Sequence, residues 1–202
     1  MMEQKILRYL DAELRAADDD NGKMIVEGYA LKFDKETVIG GSRWGWREKI
    51  ARTALDGAKL DDVVFNFNHS LDNLLARTTN RSLALIQDFE GLKIQSEIVD
   101  TAIGRDVYKM IKDGLINRMS FAAIVKTSVW TIAETDDEMD LREITAIERL
   151  FDVSAVTFPA YEDTAIAARS GAYIDADVEG HFKKREYENQ IKRLNEILGG
   201  KA

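Results

Sequence analysis

The chain has 202 residues, a formal net charge of −8 and no cysteine. The length suits one domain with a short appendage. The lack of thiols excludes disulfides, thiolate zinc sites and a cysteine nucleophile, and the acidic balance argues against a protein working mainly on nucleic-acid phosphates.

In chain order, Lys5 to Glu13 alternates loosely and predicts a strand. Asp18-Asp19-Asp20-Asn21-Gly22 predicts a turn, since Asn-Gly tolerates positive φ. Met24 to Phe33 then reads as the returning strand. Thr37 to Trp46 carries Gly40, Gly41 and Gly45 and reads as an irregular loop. Ile50, Ala51, Ala54, Leu55 and Ala58 fall at helical spacing, which predicts a short helix over Glu48 to Lys59. Val63 to Asn68 is a short apolar strand that runs into His69. Leu74 to Leu85 and Leu92 to Val99 predict two more strands, joined by the turn Asp88-Phe89-Glu90-Gly91. Thr101 is a cap for a helix from Ala102 to Asp113 with Ile103, Val107, Met110 and Ile111 on one face, ended by Gly114. Asn117 to Trp130, Leu141 to Glu148 and Leu150 to Thr157 read as strands, the last stopped by Pro159. From Asp175 the chain is highly charged, and Ile191, Leu194, Ile197 and Leu198 form a narrow apolar stripe on a terminal helix. Strands outnumber helices and do not alternate with them, so a mainly β barrel or α+β fold is expected. The expected division is a domain over residues 1–170 and a charged helical tail over 171–202. No run of about 18 apolar residues and no signal-peptide pattern occurs, so a cytoplasmic protein with no membrane span is expected.

The chain has two histidines. His69 closes the apolar run Val63-Val64-Phe65-Asn66-Phe67, whereas His181 lies in the charged tail. A serine hydroxyl needs a base within hydrogen-bond reach, an orienting group for that base, and donors for the oxyanion. Ser120, held between Met119 and Phe121 at the start of an apolar strand, is the candidate nucleophile, and His69 is the candidate base. Asp152 is the lone acid in Leu150-Phe151-Asp152-Val153-Ser154-Ala155-Val156. A carboxylate there needs a partner, which makes it the candidate orienting group. Glu148 is the nearby alternative, set beside Arg149. Arg77, Arg81, Arg105 and Arg118 are candidates for charge or substrate contacts. Asp18-Asp19-Asp20 and Asp136-Asp137-Glu138 lack calcium-loop spacing and read as solvated turns. No Gly-x-Ser-x-Gly elbow, Walker loop or other cofactor motif is present, so no cofactor or metal is expected.

Several segments resemble one known family in order and spacing. They are Gly28-Tyr29-Ala30 with Phe33, Asn68-His69 with Leu75-Ala76-Arg77-Thr78, and Glu90-Gly91-Leu92. Further on come Asp100-Thr101 with Gly104-Arg105-Asp106-Val107, Ile111-Lys112-Asp113-Gly114, Met119-Ser120-Phe121, and Asp152-Val153-Ser154 through Pro159-Ala160-Tyr161. Over residues 28–169 the chain resembles the prohead proteases of tailed phages, capsid maturation enzymes related in fold to herpesvirus assemblin. The resemblance implies an assemblin-like β-barrel with flanking helices. It implies a serine endopeptidase with His69 as base, Ser120 as nucleophile and Asp152 as the third member. Two positions depart from the family pattern: Ser70 stands where an acid often follows the histidine, and Asp152 where the late strand often has glutamate. Assemblins use a second histidine as third member, for which only His181 is available.

The resemblance further implies an enzyme packaged inside the immature capsid in the host cytoplasm. Its protein substrates would be scaffold, the N-terminal part of the major capsid protein, and itself. Self-association, a homodimer or higher, is implied as well; nucleic acid and membrane partners are not. The apolar stripe of the tail is a candidate link to scaffold or a second copy. A non-catalytic assembly protein on the same fold is the main rival, and a small-molecule esterase the second. The rival assembly protein would leave His69 and Ser120 apart, whereas an enzyme needs them within hydrogen-bond reach.

Overall fold

In the computed structural model, which describes residues 5–10, 14–17, 22–40, 45–135, 138–157 and 175–199, alternating apolar residues fold into two sheets. About half of the chain is strand, and the sheets do not close into a barrel. The mainly β expectation therefore holds, and the barrel does not. The strands are β1 (Lys5–Leu10), β2 (Leu14–Ala17), β3 (Ile25–Lys32), β4 (Thr37–Ile39), β5 (Trp46–Ile50), β6 (Val64–Phe67), β7 (Ser70–Arg77), β8 (Leu83–Gln87), β9 (Gly91–Glu97), β10 (Arg118–Thr131) and β11 (Leu141–Val156). The helices are α1 (Ala102–Lys112) and α2 (Ala176–Gly199).

The larger sheet runs β1-β10-β11-β5-β4, with β6 added to β11 and β7 to β6; the smaller runs β2-β3-β9-β8. Ile6, Phe65, Phe121, Ile144 and Val153 of the first sheet and Val26, Leu31 and Ile94 of the second fill the core between them. The strand β11 is 16 residues long and serves two neighbours in turn. Its first part pairs in parallel with β5, from Leu141 opposite Arg47, and its last part with β6, from Asp152 opposite Val64.

Five expectations differ from what is observed. The stretch 48–59 is not a helix: Trp46, Glu48 and Ile50 alternate inward along β5, and a turn over 52–57 buries Ala54 and Leu55, which mimics helical spacing. Leu74 to Leu85 is two strands, because Asn80 caps a tight turn by accepting the Ser82 N–H and Arg81 takes φ 64°. The residues 141–156 form one strand, not two, since Glu148 and Arg149 pass through without a break. The hairpin partner of β3 is β2, whereas β1 crosses to the other sheet and pairs with β10. Part of the expected loop 37–46 is β4, paired with β5. Asp18 to Asn21, Asp136-Asp137 and Pro159-Ala160-Tyr161 lie outside the described residues.

The helix α1 begins as its sequence predicts. The Thr101 side chain accepts the Gly104 N–H at 3.0 Å, and Gly114 takes φ 76° just past the end. Gly104 is required by packing: a Cβ there would stand 2.2 Å from the Val99 carbonyl oxygen. The helix packs on β2 and β7.

The helix α2 docks by its first turns on the far end of the β10–β11 ribbon. Arg142, fully buried, bonds Asp175 at 2.6 Å and Asp177 at 3.1 Å. The His181 ring stacks on Trp130 at 3.8 Å between centroids and bonds Asp140 at 2.7 Å. Behind this contact Glu48 binds Arg8 and Arg142 and accepts the Trp46 indole N–H. Burial pushes the Glu48 carboxyl up, but the two guanidinium groups and the indole outweigh it and hold it below the usual range. Farther along, Ile191 and Leu194 are exposed, as an unpartnered stripe requires. The side chains of Ile197 and Leu198 are outside the described residues. Among the described residues no helix is long and apolar enough to cross a membrane.

Candidate active site

Two adjacent strands and a neighbouring turn carry the candidate residues. Ser120 of β10 lies opposite Ser154 of β11, and Ala122 opposite Asp152. Period-two alternation thus points Ser120, Asp152 and Ser154 to one face, while Met119, Phe121 and Val153 point into the core. A register shift between Ala122 and Ala123 adjoins this row, a bulge of the kind that re-aims side chains beside functional sites.

His69 reaches over that face from the turn between β6 and β7. Phe67 pairs with Ser70, which leaves Asn68 and His69 as a two-residue loop. Both have positive φ, 52° and 56°, as a type I′ hairpin requires. Asn68 suits this conformation; an imidazole-bearing residue in the second position, where glycine is usual, is strained. The turn is anchored at several points. The Asn68 N–H donates to the Ala155 carbonyl at 2.9 Å, the Thr157 N–H donates to Asn68 Oδ1 at 3.1 Å, and the His69 N–H donates to Ser154 Oγ at 3.0 Å.

The imidazole joins the other two candidates. Its Nδ1 is 2.6 Å from Asp152 Oδ1 and its Nε2 is 2.6 Å from Ser120 Oγ. With the proton on Nδ1 donated to the carboxylate, Nε2 is an acceptor for the serine hydroxyl. Asp152 is almost fully buried. Burial pushes its carboxyl up, yet the His69 hydrogen bond and charge, joined by Lys5, hold it below the usual carboxylate range. Lys5 Nζ donates to the other oxygen, Oδ2, at 3.0 Å. Ser120 Oγ also lies 2.9 Å from the Arg8 carbonyl oxygen, to which it can donate.

The other candidates have different partners. Glu148 faces Lys59 at 3.7 Å, and His181 belongs to the helix contact. Arg77 makes a two-pronged pair with Asp62, and Arg105 bonds Asp100. Arg81 is in its turn, and Arg118 stands at the start of β10 opposite Val156. Three residues had no role in the sequence reading: Ser154, Lys5 and Arg8. The spacing of Asp152 and Ser154 places them on one face of a strand, a signal that could have found Ser154. Nothing local marks Lys5 or Arg8. Among the described residues no cluster of three or more His, Asp or Glu could hold a metal.

The row resembles the serine–histidine–carboxylate arrangement that activates a hydroxyl for acyl transfer. A model of the family described as caudovirus prohead serine protease matches residues 11–186. No curated protein and no solved structure matches.

Proposed function

The chain belongs to the caudovirus prohead serine protease family, and from that premise we propose that Ser120, His69 and Asp152 are its nucleophile, base and orienting acid. The observation that carries this reading is the unbroken series of contacts from Asp152 through His69 to Ser120, each at 2.6 Å. A non-catalytic assembly protein has no need of it.

In this mechanism Nε2 of His69 takes the Ser120 proton as Oγ attacks a peptide carbonyl. Asp152 holds the imidazole with its proton on Nδ1 and stabilises the imidazolium that forms. The proton then passes from Nε2 to the leaving amine, and water attacks the acyl-enzyme by the same route. The buried carboxylate, already ionised, carries no proton of its own.

The substrates we assign are scaffold and the N-terminal part of the major capsid protein, within the immature capsid, together with the protease itself. Co-expression with the cognate capsid and scaffold proteins tests this by intact mass. Discrete truncations with the wild-type chain that vanish with Ser120→Ala are expected. Identical masses from both would overturn the assignment.

A further inference from the structure

Ser120 is 0 % exposed and Asp152 1 % exposed, so no external peptide reaches Oγ in this arrangement. The strand β1 contributes to that cover along its length. Tyr9 pairs directly with Ser120, and Leu7 with Ala122. The Arg8 carbonyl oxygen accepts from Ser120 Oγ at 2.9 Å, and Lys5 Nζ bonds Asp152 Oδ2 at 3.0 Å. A serine hydroxyl has one hydrogen, so the Arg8 carbonyl competes with His69 Nε2 for it. A main-chain segment laid in extended, antiparallel form over the nucleophile is where a bound peptide substrate would run.

Resting on the reading of Ser120 as nucleophile, we propose that β1 occupies the place of the substrate. It must leave β10 before the enzyme can act, and the peptide that replaces it pairs in extended form along the freed edge of β10. Three observations suit a detachable latch. Among the described residues β1 is an edge strand paired with β10 alone, so its departure opens one ladder. It precedes residue 11, where the family match begins. Glu48, which loses Arg8 when β1 leaves, keeps Arg142 and the Trp46 indole. Ile6, fully buried, and the Arg8–Glu48 ion pair hold the latch shut.

The cysteine-free chain allows a direct test. Ile6 and Ala123 are paired on the face opposite Ser120, so Ile6→Cys with Ala123→Cys would lock β1 down when oxidised without touching the site. The readout is the rate at which a fluorophosphonate modifies Ser120, followed by intact mass, with Ser120→Ala as the specificity control. The reduced form should react about tenfold or more faster than the oxidised form, since only the open fraction is competent. Arg8→Glu, which sets like charge against Glu48, should react faster than wild type, its fold being checked by circular dichroism. Equal rates in the oxidised and reduced forms would overturn the latch and leave the nucleophile standing. No modification of any folded form, Arg8→Glu included, would overturn both.

Discussion

The main-chain N–H of His69 donates to Ser154 Oγ at 3.0 Å, and this bond ties the turn bearing the imidazole to the strand bearing Asp152. Ser154 is fully buried and its hydroxyl faces the Asn66 and Ala155 carbonyls at 3.2 Å. Ser154→Ala should therefore remove this part-buried hydrogen bond and loosen the turn. A stability loss of about 1–2 kcal/mol and a kcat reduced about tenfold are expected. Thermal unfolding and cleavage of one substrate, measured on the same preparation, check both.

The φ of 56° at His69 gives a prediction of unusual sign. Both His69→Gly and His69→Ala remove the imidazole and should abolish cleavage. Glycine normally destabilises relative to alanine, but at positive φ the order reverses. His69→Gly should be the more stable by about 1 kcal/mol. Denaturant unfolding of the two inactive variants compares them; alanine the more stable would refute the strained turn.

Asp152→Asn keeps the shape of the site but lets the amide present its NH₂ to Nδ1. The imidazole then carries its proton on the wrong nitrogen. Cleavage should fall by about four orders of magnitude while the fold persists. A loss of less than about tenfold would remove Asp152 from the mechanism.

Glu48, Asp152 and Asp177 are all held below the usual carboxylate range. For Asp177 burial raises the carboxyl, and the Ser128, Trp130 and Arg142 partners more than offset it. Groups with lowered native pKa stabilise the fold above their unfolded value, near 4, and that stability is lost as the pH falls through the native value. Tm should thus be flat near neutrality and fall steeply in acid. Glu48→Gln should flatten the acid slope. It should also cost about 3 kcal/mol, because the buried Arg8 guanidinium loses the Glu48 carboxylate while Arg142 keeps Asp175 and Asp177. An unaltered slope would place the acid sensitivity elsewhere.

The tail divides at Arg185, whose Nε is 3.2 Å from Asp140. Truncation after Glu186 keeps Asp175, Asp177 and His181 in place and should leave Tm nearly unchanged. Truncation before Asp175 strips the fully buried Arg142 of two carboxylates and should cost about 3 kcal/mol. The shorter cut is therefore the cleaner probe of whether the exposed Ile191 and Leu194 link the protein to a capsid partner. Unchanged incorporation into capsids after that cut would exclude such a link.

Local physics made α1 legible, because Thr101, the apolar face and Gly114 are all within the helix they define. The Ser120 and Asp152 strands were legible for the same reason: each side chain stands out against its own apolar run. The stretch 48–59 misled because a strand end followed by a tight turn buries Ile50, Ala54 and Leu55 at a spacing that helices also produce. The role of β1 was invisible for a different reason. Lys5 and Arg8 meet Asp152 and Ser120 across more than a hundred residues, and no nearby residue records such a meeting. The Asn68-His69 turn lay between: the asparagine is a turn signal, but histidine masks the second position, where glycine would have announced the hairpin.

The β10–β11 ribbon has four register irregularities between Ala122 and Ser128, and the site lies just beyond the first. Between that bulge and Ser120 the choice of nucleophile is a matter of parity. An insertion of one residue there would turn Ser120 into the core and bring Phe121 or Met119 before His69, while an insertion of two would keep the face and only move the hydroxyl along it. Beyond Thr131 the ribbon has ended, and the same insertion changes nothing the imidazole can register. The site thus tolerates drift in length at one end of the ribbon and counts residues strictly at the other.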